Sequence, residues 1–237
     1  MTRKTSADAQ PRPAAALDGP DDPAVQPRRR RPRQLSEASL QARAQRAARL
    51  RDDLLASAAQ VVGECGYRDA SVQRITAAAG VAQGTFYLYF ASRQALFDEL
   101  LPHFGLQMLE HVRERMAQGR DFLDMEVVGL KAVFEYLSDH PWFWRVLNEA
   151  EVEAPAAWAR HHEEVTRRYI RYLQRVKAEG GLRDYSAAEL PTIAQFLVAA
   201  RDYMYRSHLT AHAPGRDIPM TILKTYRKFI EHGLGAG

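Results

Sequence analysis

Apolar residues recur at spacings of three and four from Ser36 to the end of the chain, which places them on one face of a helix. Leu54, Leu55, Ala58 and Val62 show the pattern clearly. No segment alternates polar and apolar residues over the length of a strand, so we expect no β-sheet. The sequence therefore predicts an all-α protein of about nine helices.

Glycine, proline and capping residues give the expected boundaries. Gly66 and Gly80 are expected to end helices, and Ser71 and Ser92 to cap the helices that follow them. Ser186 and Glu189 form the pattern of a capping box. The expected helices span residues 36–65, 71–79, 82–88, 92 to beyond 112, 122–138, 141–151, 156–179, 186–209 and 218–232. The stretch 36–51 either extends the first helix or forms a separate one.

The N-terminal segment has a different composition. Residues 1–34 contain half of the 12 prolines and almost no large apolar residue, so we expect a disordered arm. This arm ends in the basic run Arg28–Arg33, whereas acids slightly outnumber bases after residue 51. A basic arm on an acidic body indicates a polyanionic partner, and a solvated tail kept soluble by its charge is an equal alternative.

Several function classes find no support in the sequence. It has no apolar run long enough for a membrane span, no secretory signal pattern and one cysteine, Cys65, so we expect a cytoplasmic protein without a membrane partner. It lacks a glycine-rich phosphate loop, a nucleophile elbow and a zinc-binding motif, so we expect no enzyme and no cofactor. Residues 161–164, His-His-Glu-Glu, are interpreted as a solvated helix face rather than metal ligands, since neighbouring helical side chains diverge.

The segment from Ser71 to Phe90 predicts two short helices joined by a tight turn at Gly80, which is a helix-turn-helix. The second helix is rich in aromatic residues and carries no charge between residues 82 and 90. In this motif the second helix enters the major groove of DNA. Gln83 can bond adenine, and Thr85 can contact a thymine methyl. The alternative is a helical hairpin buried in an ordinary bundle.

Between Arg51 and Leu101 the chain resembles the DNA-binding domain of the TetR (tetracycline-repressor-like) family. The residues that carry the resemblance are Leu54, Ala58, Ala59, Gly66, Tyr67, Ser71, Val72, Ile75, Ala79-Gly80-Val81, Gly84-Thr85, Tyr87, Tyr89-Phe90, Ser92 and Leu96. Three positions depart from the family pattern: Thr76 replaces the usual alanine, Ala82 a frequent serine, and Arg93 the usual lysine.

The resemblance implies that Gln83, Thr85 and Phe86 face the bases, while Gln73 and Arg74 lie near the groove edge. Side chains expected to hold phosphates are Ser71, Tyr87, Tyr89 and Arg93. The complete set of expected DNA contacts is Ser71, Gln73, Arg74, Gln83, Gly84, Thr85, Phe86, Tyr87, Tyr89 and Arg93. The basic arm would follow the DNA backbone or enter a minor groove.

For the remainder of the chain the resemblance implies a helical bundle with a ligand cavity. The expected domains are the arm at 1–34, a three-helix DNA-binding domain at 35–91, and a ligand-binding and dimerisation domain at 92–237. The last two helices, near 187–209 and 218–232, would form the homodimer face, whereas without the resemblance their apolar residues are better interpreted as monomer core. The candidate ligand contacts are Phe104, Trp142, Trp144, Arg145, Asn148, Glu149, Trp158, Tyr169, Phe196, Arg201 and Tyr203.

The function expected from the resemblance is a ligand-responsive regulator of transcription, by default a repressor. It would bind a palindromic operator in double-stranded DNA as a homodimer and be released by a small, largely apolar organic effector. An anionic group of that effector would lie near Arg145 or Arg201. The helix after Ser92, which joins the two domains, would transmit the change. A helical protein-interaction module that binds DNA nonspecifically is the alternative.

Overall fold

The computed structural model describes residues 36–211 and 218–235, with side chains up to 208 in the first range. These ranges contain nine helices and no strand, so the all-α prediction is confirmed. The helices are α1 Glu37–Asp69, α2 Val72–Ala78, α3 Gln83–Phe86, α4 Arg93–Met116, α5 Phe122–Asp139, α6 Pro141–Glu153, α7 Pro155–Ala178, α8 Leu190–Ala211 and α9 Met220–Gly233. The predicted basic arm at 1–34 lies outside the described residues.

The chain divides into two units, one up to Ala42 and one from Arg43 onward. Of the first unit the structure describes residues 36–42, which begin α1. Ser36 Oγ accepts a hydrogen bond from Ser39 N at 3.3 Å and so caps this helix start. The second unit holds the rest of the described chain.

Gly66 changes the course of α1 at the position where the sequence predicted a helix end. Its φ of +81° and ψ of 165° are not helical, and Tyr67 to Asp69 continue beyond it. A Cβ at Gly66 would lie 2.7 Å from Glu149 Oε2, in addition to the strain of a positive φ. Both the backbone conformation and the close approach of α6 therefore favour glycine here.

The first three helices of the second unit share one apolar core. Leu54, Leu55 and Ala58 of α1 are fully buried with Ile75 of α2 and Phe86 of α3. Tyr67 packs edge-to-face on Phe97 of α4, with ring centroids 4.8 Å apart. This core fixes the two short helices relative to the long α4, which continues into the bundle.

The bundle forms around α4, which packs against α5 and α7. Helix α7 also contacts α6 and α8, and α5 contacts α9. Pro141 and Pro155 occupy the first turns of α6 and α7, where a proline costs no helical hydrogen bond. The capping box forms as predicted, since Glu189 Oε2 accepts from Ser186 N and Oγ at 2.7 Å each, although α8 itself begins at Leu190.

Across residues 36–211 and 218–235, none of the helices has the length and the apolar character needed to cross a membrane.

Candidate DNA-binding surface and ligand cavity

The turn between α2 and α3 is built on Gly80. Gly80 N donates to Ala77 O at 3.2 Å, and Val81 N donates to Thr76 O at 3.0 Å, which together form a Schellman motif. The motif requires a positive φ, and Gly80 has a φ of +67°. A Cβ at Gly80 would meet no atom within 4 Å, so the backbone angle rather than space requires glycine.

Ser71 and Ser92 cap α2 and α4 as the sequence predicted. Ser71 Oγ accepts from Arg74 N at 3.2 Å, and Ser92 Oγ accepts from Ala95 N at 3.0 Å. Helix α3 has no such cap, because Ala82 offers no side-chain acceptor. It contains four residues instead of the predicted seven, which follows from the missing cap and its low helix propensity.

Helix α3 presents polar groups to solvent. Gln83, Gly84 and Tyr87 are exposed, and Thr85 and Tyr89 are half-buried. A Cβ at Gly84 would meet no atom within 4 Å, so the fold itself does not require a glycine there. Gln73 and Arg74 of α2 are also exposed. Most of the expected DNA contacts are therefore accessible to solvent.

Phe86 departs from the sequence interpretation. Its side chain is fully buried and packs against Tyr87 and Phe90, with ring centroids 5.3 and 5.6 Å away. The prediction that Phe86 faces the bases is therefore wrong for this structure, because its ring lies in the core that anchors α3. Thr76 is also buried, and its hydroxyl donates to Val72 O at 2.9 Å.

Arg93 lies at the junction of the helix-turn-helix with the end of α1. Its Nη1 donates to Arg68 O at 3.2 Å, and its guanidinium lies 5.4 Å from the centroid of the Phe97 ring. The side chain remains exposed. Arg93 therefore has a structural contact in addition to the phosphate contact expected from the sequence.

The bundle encloses a cavity of about 540 Å³ between α4, α5, α6, α7 and α8. Such a volume suits a small organic ligand. Most of its wall is apolar: Met108, Leu109, Val112, Met116, Ala117, Met125, Val133, Leu137, Trp144, Leu147, Val165, Val198 and Tyr205. The remaining lining residues are Arg113, His161, His162, Arg168, Tyr169, Arg171, Tyr172, Arg175, Arg201 and Asp202.

The charged part of the wall is strongly basic, with five arginines and one acid. Arg113 and Arg168 are neutralised by Glu110 and Glu164 respectively. Arg171 and Arg175 form no ion pair with any side chain in the described ranges, and both are exposed. Positive charge at the cavity rim is therefore left for a ligand.

Glu126 is the centre of a fully buried polar cluster beside the cavity. Its carboxylate accepts from Tyr169 Oη at 2.7 Å, from Arg201 Nη2 at 2.8 Å and from Tyr226 Oη at 2.8 Å. Burial raises the pKa of Tyr169 and of Tyr226, so both hydroxyls keep their protons and donate. Because Glu126 is on α5, Tyr169 on α7, Arg201 on α8 and Tyr226 on α9, the cluster ties four helices together.

The predicted ligand residues fall into four groups. Trp144, Tyr169 and Arg201 line the cavity. Phe104, Trp142 and Trp158 pack around it without lining it. Arg145, Asn148 and Glu149 lie in a separate open groove beside the end of α1, and Phe196 and Tyr203 are each 69% exposed. These last eight residues do not line this cavity, and a ligand contact for them stays a prediction.

His161 also differs from its interpretation as part of a solvated face. It is buried, it lines the cavity, and burial lowers its pKa to about 4. Helix α4 comes so close that a Cβ at Gly105 would lie 2.2 Å from His161 Nδ1. The ring is therefore neutral at pH 7. Among the described residues no group of three or more His, Cys, Asp or Glu is placed to hold a metal ion.

Helix α6 connects the cavity wall to α1. Arg145 Nη1 donates to Glu64 O at 3.1 Å, and Glu149 Oε2 accepts from Tyr67 N at 2.9 Å. Arg145 Nε and Glu149 Oε1 pair at 2.6 Å. One face of α6 thus holds the end of α1, while Trp144 and Leu147 on another face line the cavity.

Sequence reasoning missed the arginines of α7. Arg168, Arg171 and Arg175 lie three and four residues apart, so they share one helix face. Spacing alone could have indicated a basic stripe, but exposed stripes are common on helices. Only the packing of α7 against α4 and α8 places this one at a cavity.

A family model matches residues 54–100, and its description is "Bacterial regulatory proteins, tetR family". The matched range contains α2, α3 and their turn, together with the neighbouring parts of α1 and α4. The predicted resemblance is therefore confirmed for the helix-turn-helix.

Curated relatives match the same part of the chain. The "Uncharacterized HTH-type transcriptional regulator YvdT" of Bacillus subtilis is 37% identical over 71 residues, which are 30% of this chain and 37% of the relative. The "Fatty acid metabolism regulator protein" of the same organism is 36% identical over 66 residues, 26% of this chain and 34% of the relative. The chain thus spans little more than a third of the length of each.

The fold likeness extends further along the chain. The FadR regulator of Bacillus subtilis, solved in complex with stearoyl-CoA, has a TM-score of 0.61 and 18% sequence identity, and the match covers 75% of this chain and 96% of FadR. At this identity the likeness concerns the fold. Residues 54–100 therefore form a helix-turn-helix domain of the TetR type, and the fold around it is similar to that of a solved transcriptional regulator.

Proposed function

We propose that this protein is a ligand-responsive repressor that binds a palindromic operator as a homodimer and is released by an apolar ligand with an anionic group. The observation that carries the proposal is the position of α6. It forms part of the wall of an apolar cavity and hydrogen-bonds to the end of α1 in the same molecule.

In this proposal α3 enters the major groove of the operator. Gln83 and Thr85 read base edges, and the exposed Gln73, Arg74, Tyr87 and Arg93 contact the groove edge and phosphates. Phe86 anchors the helix from inside instead of contacting DNA. Because no side chain of α3 is charged, the surrounding arginines supply the sequence-independent part of the affinity.

A second copy of the chain is proposed to cover the outer face of α8 and α9. Phe196 and Tyr203 lie seven residues apart on α8 and are 69% exposed, and Phe229 of α9 is 60% exposed. Large aromatic side chains this exposed on the last two helices are typical of an interface. Other apolar residues of α8, such as Ile193 and Leu197, are buried in the monomer core and do not contribute to this face.

The ligand is proposed to be an amphiphile, because the cavity has an apolar wall and unpaired arginines at its rim. The FadR structure with stearoyl-CoA supports this class, since an acyl thioester combines a long apolar chain with an anionic head. Binding would favour a conformer in which α6 and α4 move the two recognition helices away from the spacing of one DNA turn. The affinity for the operator then falls by the differential affinity of the ligand for the two conformers.

Replacing Gly84 with alanine tests the docking of α3. A Cβ at this position has open space around it, so Gly84→Ala is expected to raise the free energy of unfolding by about 0.5–1 kcal/mol. The same methyl group would obstruct a backbone that approaches DNA closely, and operator affinity is expected to fall about tenfold. Fluorescence anisotropy with promoter DNA measures the affinity, and urea denaturation measures the free energy of unfolding.

Gln174→Ala is the control, since it also places an alanine at an exposed helical position, on α7, outside the cavity and outside the proposed dimer face of α8 and α9. It should leave DNA affinity unchanged. If Gly84→Ala binds promoter DNA as tightly as the unmodified protein does, α3 does not approach the duplex and the proposed function fails.

A further inference from the structure

We infer that the ligand lies lengthwise along α7, with an anionic head at Arg171 and Arg175 and an apolar tail that ends against Trp144 and Leu147 of α6. This inference rests on the proposed function and specifies which end of the ligand acts on the DNA-binding domain. It makes α6 a sensor of tail length.

The cavity has two chemically different ends. Its lining residues on α7 run from His161 to Arg175, a distance of about 21 Å at the helical rise per residue. His161 lies beside Phe143 of α6, with ring centroids 6.5 Å apart, whereas Tyr172 packs against Phe122 at the start of α5. An extended ligand therefore has one end near α6 and the other near the C-terminal part of α7.

The C-terminal part of α7 provides the positive charge. Arg171 and Arg175 are the lining arginines that form no ion pair within the described part of the chain. Arg201 of α8 lies against the same helix, with its guanidinium 4.9 Å from the centroid of the Tyr169 ring. Its hydrogen bonds to Glu126 both use Nη2, and its buried Nε has no hydrogen-bond partner among the described residues. These groups can attract and hold an anionic head at this end.

The end near α6 is suited to a hydrocarbon tail. Trp144 and Leu147 of α6 line it together with Leu137 and Tyr205. Tyr205 packs against Trp144 with ring centroids 4.9 Å apart, and His161 adds a neutral ring. Arg206 lies over the Trp144 ring, but it pairs with Asp202, the one acid of the cavity wall. An anionic head placed here would lose its hydration beside a carboxylate, which disfavours the reverse orientation.

The tail end is also the end from which movement can reach DNA. Trp144 lies one residue before Arg145, and Leu147 lies two residues before Glu149, the two side chains that bind α1. A tail that fills the space beside Trp144 and Leu147 would displace α6, whereas a shorter tail would occupy the cavity without contacting it. Ligand binding to the protein and release of the protein from DNA are therefore expected to depend differently on tail length.

The test measures binding by calorimetry and operator release by anisotropy for two series: acyl-CoA thioesters from hexanoyl to stearoyl, and the corresponding free fatty acids. Ligands with short tails are expected to bind the unmodified protein but to release little of it from the operator. Ligands with long tails are expected to bind the protein and to release it from the operator. Arg171→Gln/Arg175→Gln is expected to weaken binding of the negatively charged ligands about tenfold at all lengths. The matched control is Arg167→Gln, an exposed arginine of α7 that does not line the cavity.

The tail end is probed with Leu147→Trp, which fills the space beside α6. This substitution is expected to weaken binding of the longest ligands by about tenfold or more and to leave the affinity for the short ligands unchanged. A stronger effect of the arginine variant on thioesters than on free acids would identify the head as the coenzyme A phosphates, and an equal effect would identify a carboxylate.

Two results would overturn the orientation while leaving the proposed function intact. One is that Leu147→Trp weakens ligand binding equally at every tail length. The other is that Arg171→Gln/Arg175→Gln does not change the affinity for ligands that release the protein from DNA. If the unmodified protein binds its promoter but no member of either series binds, the inference fails together with the amphiphile part of the proposed function. If the protein does not bind its promoter, the DNA-binding proposal itself fails.

Discussion

Glu126→Leu is expected to lower the free energy of unfolding by about 3–5 kcal/mol, because it leaves the buried Arg201 without its ionic partner. Tyr169 and Tyr226 also lose the acceptor of their buried hydroxyls. Urea denaturation at fixed protein concentration measures the change, since dimerisation would otherwise shift the midpoint.

Two further variants separate the charge from the packing. Glu126→Leu/Arg201→Leu removes both charges and is expected to recover much of the lost stability, as buried ion pairs are often replaceable by apolar pairs. Glu135→Gln removes a partly exposed carboxylate of the same helix, which pairs with Lys131, and should change stability by no more than about 0.5 kcal/mol. Equal losses for Glu126→Leu and Glu135→Gln would show that the buried cluster does not stabilise the bundle.

Replacing both Arg145 and Glu149 with alanine is expected to abolish most of the response of DNA binding to ligand. These side chains join α6 to the end of α1, and they do not line the cavity. Allosteric couplings usually change affinity by about 5–150-fold, and in the double variant the ligand-induced change should fall below about threefold. Operator anisotropy with and without saturating ligand measures this change, and calorimetry should show that the ligand still binds.

Glu151→Ala serves as the control, because Glu151 is exposed on the same helix and lies outside the cavity. It should retain the full response. The ligand could instead release the double variant from the operator as readily as it releases the unmodified protein. That result would show that the coupling runs through another contact. The continuous helix α4 is then the remaining covalent connection.

The helix-turn-helix could be predicted in detail because its determinants are local. The positive φ of Gly80 and the caps at Ser71 and Ser92 depend on residues within a few positions along the chain. The orientation of Phe86 could not be predicted in this way. A four-residue helix has too little periodicity to separate its inner face from its outer face, and the ring is buried in a core to which α1 and α4 also contribute.

The cavity was much harder to predict, because its wall comes from five helices whose contacts are distant in sequence. An aromatic and polar composition identified Trp144, Tyr169 and Arg201, but it equally selected Phe196, which lies on the outer face of α8. Arg145 and Glu149 have the polarity of ligand contacts and instead bind α1. The packing angles between helices decide which face of α6 contacts α1 and which faces the cavity. These angles cannot be predicted from the pattern of residues along α6.

Selection of bound sites from random duplex DNA tests most directly whether α3 reads sequence from a symmetric dimer. The account predicts a palindromic site whose half-site centres lie about 34–36 Å apart, and a loss of preference within each half-site for Gln83→Ala/Thr85→Ala. A pool that shows no enriched sequence after selection with the unmodified protein would contradict it.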